Sequence, residues 1–377
     1  MSYSREEDIG PDGQDNDSNR YPDYSRNTTL FSKGESGKYV PRSIFIDPDA
    51  SSVDEIRNGA LKSLFSPEQL LSGNESTSNN YAHGYHGIDK QLVNSARDQL
   101  RRAAEDCSNL QGFLVFRSLG GGTGSGLGAL LTETIAEYFP KKAKFEVAIH
   151  PSLGDSGSTS NSESYNAVLS THRTLENSDC SFLVENSAVA GIFKRNLDVA
   201  HPSYKDLNEA IAQAISLVTL DMRLSGSGGM VDFDVLQSSL VPSPRLHYPL
   251  LSHGSFIRFD GSGQMLDCDA TQGKRLATAL LYRGDAVPKD AHSSLNLIQR
   301  KLVSPLDERG IAALQLSFAG GAPIPFPDSP WRSPRQGVTG LSNTTAICQN
   351  VWQAFDSFSS KVEEISDFGL KMGHVEG

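Results

Sequence analysis

Ser118-Leu119-Gly120-Gly121-Gly122-Thr123-Gly124-Ser125-Gly126 stands between an apolar run, Gly112-Phe113-Leu114-Val115-Phe116, and an apolar stretch that extends to Tyr138. The run reads as a buried strand and the stretch as a helix beginning within 124–127, so the glycines form a strand-to-helix turn. Glycine permits positive φ and close backbone approach. Successive amides can then point at one oxyanion, and the helix N-terminus adds favourable potential. Ser118, Thr123 and Ser125 add hydroxyl donors. Composition and position together imply a phosphate-binding turn. A Walker A loop needs Gly-Lys-Ser/Thr, but Gly37-Lys38 is followed by Tyr39 and Gly273-Lys274 by Arg275. A dinucleotide fingerprint can be laid on Gly124-x-Gly126-x-x-Ala129. That motif wants an acidic residue closing the next strand, and Glu146 falls in mid-strand. A turn that binds nothing is the plain alternative, at the cost of five glycines that weaken folding without a function.

Outward from the turn, the pattern alternates. Residues 43–46 read as a short strand with Asp47 and Asp49 at its tip. Ile88, Leu92, Ala96, Leu100 and Ala103 share one helical face over 88–108. Strands are expected at 144–149 and 180–184, helices at 163–175 and 189–197, and this order implies a parallel sheet covered on both faces. An amphipathic segment over 204–224 reads as one long core helix between two domains. Beyond it, 225–346 is richer in Gly, Pro and Ser, with a strand at 276–282 and a helix at 290–300, and reads as a smaller α+β domain. The expected division is therefore 1–42, a loop or mobile arm without apolar period; 43–203, an α/β nucleotide-binding domain; 204–224, the core helix; 225–346, the second domain; and 347–377, a short helical segment.

At 377 residues and 37% hydrophobic composition the chain can fill two cores. Its 34 Lys and Arg against 45 Asp and Glu leave a formal charge of -11, which argues against nucleic acid as a partner. The four cysteines, Cys107, Cys180, Cys268 and Cys348, have no CxxC spacing and read as reduced thiols of a cytosolic protein. No leader or membrane-spanning run is expected from the sequence, so a membrane partner is not anticipated.

Gly120 to Gly126 is similar to the signature loop of the tubulin family. Other segments resemble its α chains in the same order along the chain: Gly10-Pro11-Asp12-Gly13-Gln14, Val40-Pro41-Arg42, Asn79-Asn80-Tyr81-Ala82, Leu240-Val241-Pro242 and Leu341-Ser342-Asn343-Thr344 among them. The resemblance implies an α-tubulin-like, GTP-binding structural subunit of the microtubule cytoskeleton in the cytoplasm, paired with a β-tubulin-like subunit. It implies phosphate contacts at Ser118, Gly120, Gly121, Gly122, Thr123, Gly124 and Asn79, and sugar contacts at Thr159 and Glu163. Asn186 and Asn208 would read the guanine edge, Tyr204 would stack on the base, and Asp49 with Asp47 would serve Mg2+.

The sequence also departs from that pattern. The family's opening strand has no counterpart before Gly10, so the sheet is expected to expose an apolar edge. Val235 stands where the α chains carry the glutamate that positions water on the neighbouring subunit's nucleotide, so no catalytic residue is expected. Gly254 is followed within ten residues by Gly263, which leaves little room for the lateral-contact loop. The end of the chain lacks the motor-facing helix, so lateral and motor contacts are expected to be weakened. A non-polymerising, tubulin-like nucleotide-binding protein is the second expectation, and a dinucleotide-dependent oxidoreductase the distant third.

Overall fold

The computed structural model describes residues 2–15, 25–26, 29–34, 37–152, 161–196, 198–225, 232–254, 263–269, 273–284, 287–289, 291–293, 314–319, 336–348, 356 and 359. Helix α1 (Ser2–Glu6) is followed by strands β1 (Ser25–Arg26), β2 (Phe31–Lys33) and β3 (Tyr39–Pro41), the last two forming an antiparallel ribbon. Strand β4 (Phe45–Asp47) leads into α2 (Ala50–Asn58) and lies parallel to β5 (Leu70–Ser72). A π-helical turn, His83–Gly87, precedes α3 (Lys90–Glu105), which buries Leu92, Val93 and Ala96 as its periodicity requires. Strand β6 (Gly112–Ser118) runs into the glycine turn; a second π-helical turn, Thr123–Leu127, passes directly into α4 (Gly128–Tyr138). Then come β7 (Ala143–His150), α5 (Asn161–Asn177), β8 (Cys180–Glu185) and α6 (Asn186–Asn196).

Strands β6, β7 and β8 form a parallel sheet in that order, with Phe116 opposite Val147 and Ala148 opposite Leu183. Strand β8 is buried along its whole length and β7 almost so, polar residues such as Glu146 and Ser181 included, as expected of strands covered on both faces. The edge differs. Among the described strands β6 pairs only with β7, and Phe116 is 57% exposed. Phe116 is the large apolar side chain of β6 left exposed, whereas Leu114 packs against the core.

The core helix is α7 (Tyr204–Val218), continued by α8 (Leu220–Arg223) and by β9 (Leu224–Ser225), which pairs antiparallel with β1. The expected single helix over 204–224 is thus broken at Thr219. The Thr219 hydroxyl donates to the Ile215 and Ser216 carbonyls, competing with the helical ladder where the turn ends. Beyond α9 (Phe233–Leu240) the second sheet comprises β10 (Leu250–Gly254), β11 (Arg275–Gly284), β12 (Leu314–Ala319) and β13 (Gln336–Thr344), in the order β10-β13-β11-β12. Strands β11 and β12 are parallel and β13 is antiparallel to both β10 and β11, a mixed sheet that fits the α+β expectation. One hydrophobic core runs from Phe145 and Phe182 through Ile215 to Leu236, Leu251 and Leu341, so α7 is the packing element shared by both sheets. The helix expected at 290–300 and the segment 347–377 lie largely outside the described residues.

The N-terminal residues depart most from expectation. Instead of a loop or mobile arm at its start, the chain has helix α1 with Ser4, Glu6, Glu7, Asp8 and Ile9 buried. Glu6 Oε2 accepts from Arg223 at 2.7 Å and Glu6 Oε1 from Arg283 at 2.6 Å, and Arg223 lies over the Tyr3 ring at 4.5 Å. The interior of this segment is charged and its countercharges lie on α8 and β11, so no apolar periodicity marks it.

Near this cluster, His253 on β10 is buried and its Nδ1 lies 2.8 Å from Thr339 Oγ1. Burial, with the Arg283 charge adding to it, holds its pKa down at about 4 against an ordinary 6.5. On acidification the unfolded chain therefore binds this proton first. The stabilising contribution of neutral His253 is complete above pH 6.5 and declines as the pH falls from 6.5 to about 4. That interval corresponds to roughly 3 kcal/mol. In denaturant titrations His253→Gln should flatten the fall of stability across this window; a slope equal to that of the parent chain refutes the assignment.

Candidate nucleotide site

The carboxyl ends of the parallel strands share one edge: Ser118 lies opposite Ile149, and His150 opposite Glu185. In open parallel sheets the crevice beyond this edge is where ligands settle. The glycine turn leaves it with Leu119 N donating to Ile149 O at 2.9 Å, and it closes on itself where Ser125 N donates to Gly121 O at 3.0 Å. The buried Ser125 hydroxyl also donates to Gly121 O, so it braces the turn instead of serving a ligand.

The reason for the glycines differs from expectation. Among the described glycines positive φ occurs at Gly13, Gly37 and Gly284, and at none of the five in the turn. Close packing is what three of these five require. A Cβ on Gly124 would lie 2.2 Å from Ser118 O, one on Gly126 2.3 Å from Tyr81 O, and one on Gly122 2.6 Å from Asn80 N. Across the contact, a Cβ on Gly84 of the first π-helical turn would meet Gly122 O at 2.1 Å. The two π-helical turns thus pack backbone against backbone. Gly120 and Gly121 are different: a Cβ there would approach Glu163 Cγ at 3.5 Å and Asn79 Oδ1 at 3.9 Å, ordinary contact or looser. Gly120 is buried, but Gly121 is partly exposed and presents main chain to open ground at the start of a helix, whose first amides lack partners within the helix and carry its positive potential.

Around this opening the structure gathers Asn79, Glu163 and Thr123. Ser78 and Asn79 both adopt left-handed backbone, φ 51° and 55°, a conformation that asparagine tolerates better than most residues. Asn79 Nδ2 donates to Ser162 Oγ at 3.0 Å, and the hydroxyls of Thr123 and Thr77 are 3.2 Å apart. Glu163 sits in the first turn of α5. Beneath the turn, buried Arg117 donates through Nε to Glu146 Oε1 at 2.5 Å and through NH1 to Gly124 O at 3.2 Å and Ser170 Oγ at 2.8 Å. Glu146 thereby neutralises the cation that holds the turn. Its mid-strand position is structural, and it does not meet the specification of a ribose-binding acid.

The remaining residues singled out by sequence lie on other elements. Asn186 begins α6 immediately after β8, at the carboxyl edge of the sheet. Tyr204 and Asn208 are one helical turn apart on α7, both exposed, Tyr204 to 77%. Asp47 ends β4, its Oδ1 accepting from Asp49 N at 3.0 Å, while Asp49 caps α2 by accepting from Ser51 N at 2.9 Å. Those Ser51 bonds hold the Asp49 carboxyl below its ordinary pKa, so it stays ionised. Thr159 lies outside the described residues. Val235 is on α9, 43% exposed, and Asp232 before it accepts from Gln111 Nε2 at 2.9 Å.

The comparison with known families decides among the readings of this turn. Residues 3–194 match the Tubulin/FtsZ family, GTPase domain, and residues 255–357 match the Tubulin C-terminal domain. The chain belongs to the tubulin family. It is 43% identical over 377 aligned residues to the tubulin alpha chain of Colletotrichum orbiculare, covering 94% of this chain and 82% of that one. It is 45% identical over 346 residues to the tubulin alpha-2 chain of Emericella nidulans, covering 87% and 76%, and 40% identical over 373 residues to the tubulin alpha chain of Pneumocystis carinii.

The glycine turn is accordingly that of a tubulin-family, GTP-binding cytoskeletal subunit, and the dinucleotide and oxidoreductase readings are set aside. In this tubulin-family chain two residues of the site escaped sequence reasoning. Asn166 is buried on α5, donating through Nδ2 to Gly120 O at 2.7 Å and to Asn79 O at 3.0 Å. Arg117 is the other. Arg117 ends an apolar run and Asn166 follows a polar stretch, neither spacing forms a motif, and only the partner across the fold reveals the use of each. Among the described residues no group of three or more His, Cys, Asp or Glu could form a metal cage. The Asp47 and Asp49 pair suits a cation that takes most of its ligands from phosphate and water, as Mg2+ does.

Proposed function

We propose that this chain holds GTP across the carboxyl edge of β6, β7 and β8, and serves as the α-like partner of a β-tubulin-like subunit in cytoplasmic microtubules. The observation that carries the nucleotide reading is the division among the glycines: Gly122, Gly124 and Gly126 are packed too tightly to carry a side chain, whereas partly exposed Gly121 has open ground before it beside Asn79. The triphosphate would lie along 120–124 and beside Asn79, with the helix N-terminus offsetting its charge. Asn186 and Asn208 would take the donor and acceptor pattern of the guanine edge, and the exposed Tyr204 ring would cover the base. Thr159 and Glu163 would face the sugar. Asp47 and Asp49 would share Mg2+ with the phosphates, the cation supplying charge neutralisation when bound. Hydrolysis by this chain on a neighbour's nucleotide is not part of the proposal: Val235 has no group to orient water, and Asp232 is engaged with Gln111.

The test is to co-express the chain with a β-tubulin, isolate the complex, denature it and identify the released nucleotide by mass. The expected result is a stable complex in which this chain's share of nucleotide is GTP with little GDP. Recovery of the folded chain alone with no guanine nucleotide overturns the proposal.

A further inference from the structure

Asn166 is almost entirely buried and joins three backbone groups from two different loops. Its Nδ2 donates to Gly120 O at 2.7 Å and to Asn79 O at 3.0 Å, while its Oδ1 accepts from Tyr81 N at 2.9 Å. Two carbonyls on one side and an amide on the other determine which way the carboxamide points, because only that orientation satisfies all three. Asn79 and Gly120 are also the residues that flank the open ground in front of Gly121. We infer that Asn166 is a positioning residue of the nucleotide site: one carboxamide sets the gap between the Asn79 loop and the glycine turn, and so the preference for a triphosphate over the bare nucleoside. The inference rests on the GTP-site reading above and deepens it.

Near this junction Asn79 Nδ2 holds to Ser162 and Arg117 to Gly124, while the Thr77 and Thr123 hydroxyls, 3.2 Å apart, form a second and more pliable link between the two loops. Asn166 spans from one loop to the other with a single rigid group. Asn79 has left-handed backbone, and a bond to its carbonyl helps to hold that conformation at the mouth of the site. Aspartate at 166 keeps shape and the acceptor for Tyr81 N. It loses at least one of the two donated bonds: the ionised form opposes both carbonyls, and the protonated form has a single hydrogen to give. The loops then separate where phosphate would be gripped, while the surface offered to the base on α6 and α7 is untouched.

The experiment compares GTP and guanosine binding to nucleotide-stripped parent chain, Asn166→Asp and Asn166→Ser, each in complex with its β-tubulin partner. For both variants the ratio of GTP to guanosine affinity is expected to fall by about tenfold, as the loss of one good hydrogen bond implies, with guanosine affinity unchanged. Serine removes the carboxamide without adding charge, so agreement between the variants separates loop spacing from repulsion. Folded variants that keep the parental ratio overturn the inference. Failure of both to fold also overturns it, since Asn166 would then belong to the general framework. A parent chain that shows no preference for GTP over guanosine removes the nucleotide-site reading itself, and this inference with it.

Discussion

Glu6→Ala is expected to lower the unfolding free energy by about 3–5 kcal/mol, the usual consequence of removing one partner from a buried ion cluster. Glu6 is enclosed with Arg223 and Arg283, and all three side chains have 3% or less of their surface exposed. Burial by itself would raise the Glu6 carboxyl, but Arg223, Arg283 and the Ser216 hydroxyl together outweigh it and hold the pKa below the ordinary 4.5. The contribution is therefore fully present above pH 4.5 and is lost as the pH falls through the lower folded value. Alanine would leave two guanidinium groups without their shared carboxylate in the joint between α1, α8 and β11. Set against total stabilities of about 5–15 kcal/mol, that is a large fraction. Urea titrations followed by circular dichroism measure it, and the double variant Glu6→Ala with Arg283→Ala should lose less than the sum of the two singles, because each single already removes the Glu6–Arg283 bond. A shift under about 1 kcal/mol, the range of exposed pairs, would mean that α1 is not docked.

Gly126→Ala and Gly121→Ala are expected to fail in opposite ways. The methyl at 126 would fall 2.3 Å from Tyr81 O and 2.7 Å from Tyr85 N, both backbone atoms that cannot swing aside, so the two π-helical turns must part. Overpacking of this kind costs about 1–3 kcal/mol or more, and the displaced turn should lose GTP as well. The methyl at 121 meets nothing nearer than Asn79 Oδ1 at 3.9 Å. Gly121→Ala should keep the parental melting temperature while GTP affinity falls by about tenfold or more, because the methyl occupies the ground where phosphate approaches the amides. Equal loss of stability in the two variants would reject the division of the turn into packing and binding glycines.

The strands and helices from 88 to 197 were legible because each is a local pattern: apolar runs for strands enclosed in a parallel sheet, 3.6-residue periods for helices, and glycine at the junction. The bounds β6, β7 and β8 differ from the sequence expectation by no more than two residues at either end. The break at Thr219 was not legible, since it depends on a side-chain hydroxyl bonding back to its own helix. The site was legible in part. The glycine turn could be named from its own composition and position, and Asn79 and Glu163 only through the family resemblance, but which glycines pack and which stay open depends on where a second π-helical turn lies.

By itself, then, the sequence determined the α/β class, the phosphate turn, the core helix and the family, all of them carried by residues close together along the chain or by motifs in order. Tertiary structure alone decided that α1 is anchored, that Arg117 and Glu146 brace the turn, and that Asn166 joins two loops. The reason is that a buried polar group is defined by its partner: Glu6 meets Arg223 and Arg283 across 217 and 277 residues of chain, and Asn166 meets Asn79 across 87. Local periodicity records which side chains avoid water, and it carries no record of which distant charge or carbonyl makes burial of a polar one tolerable.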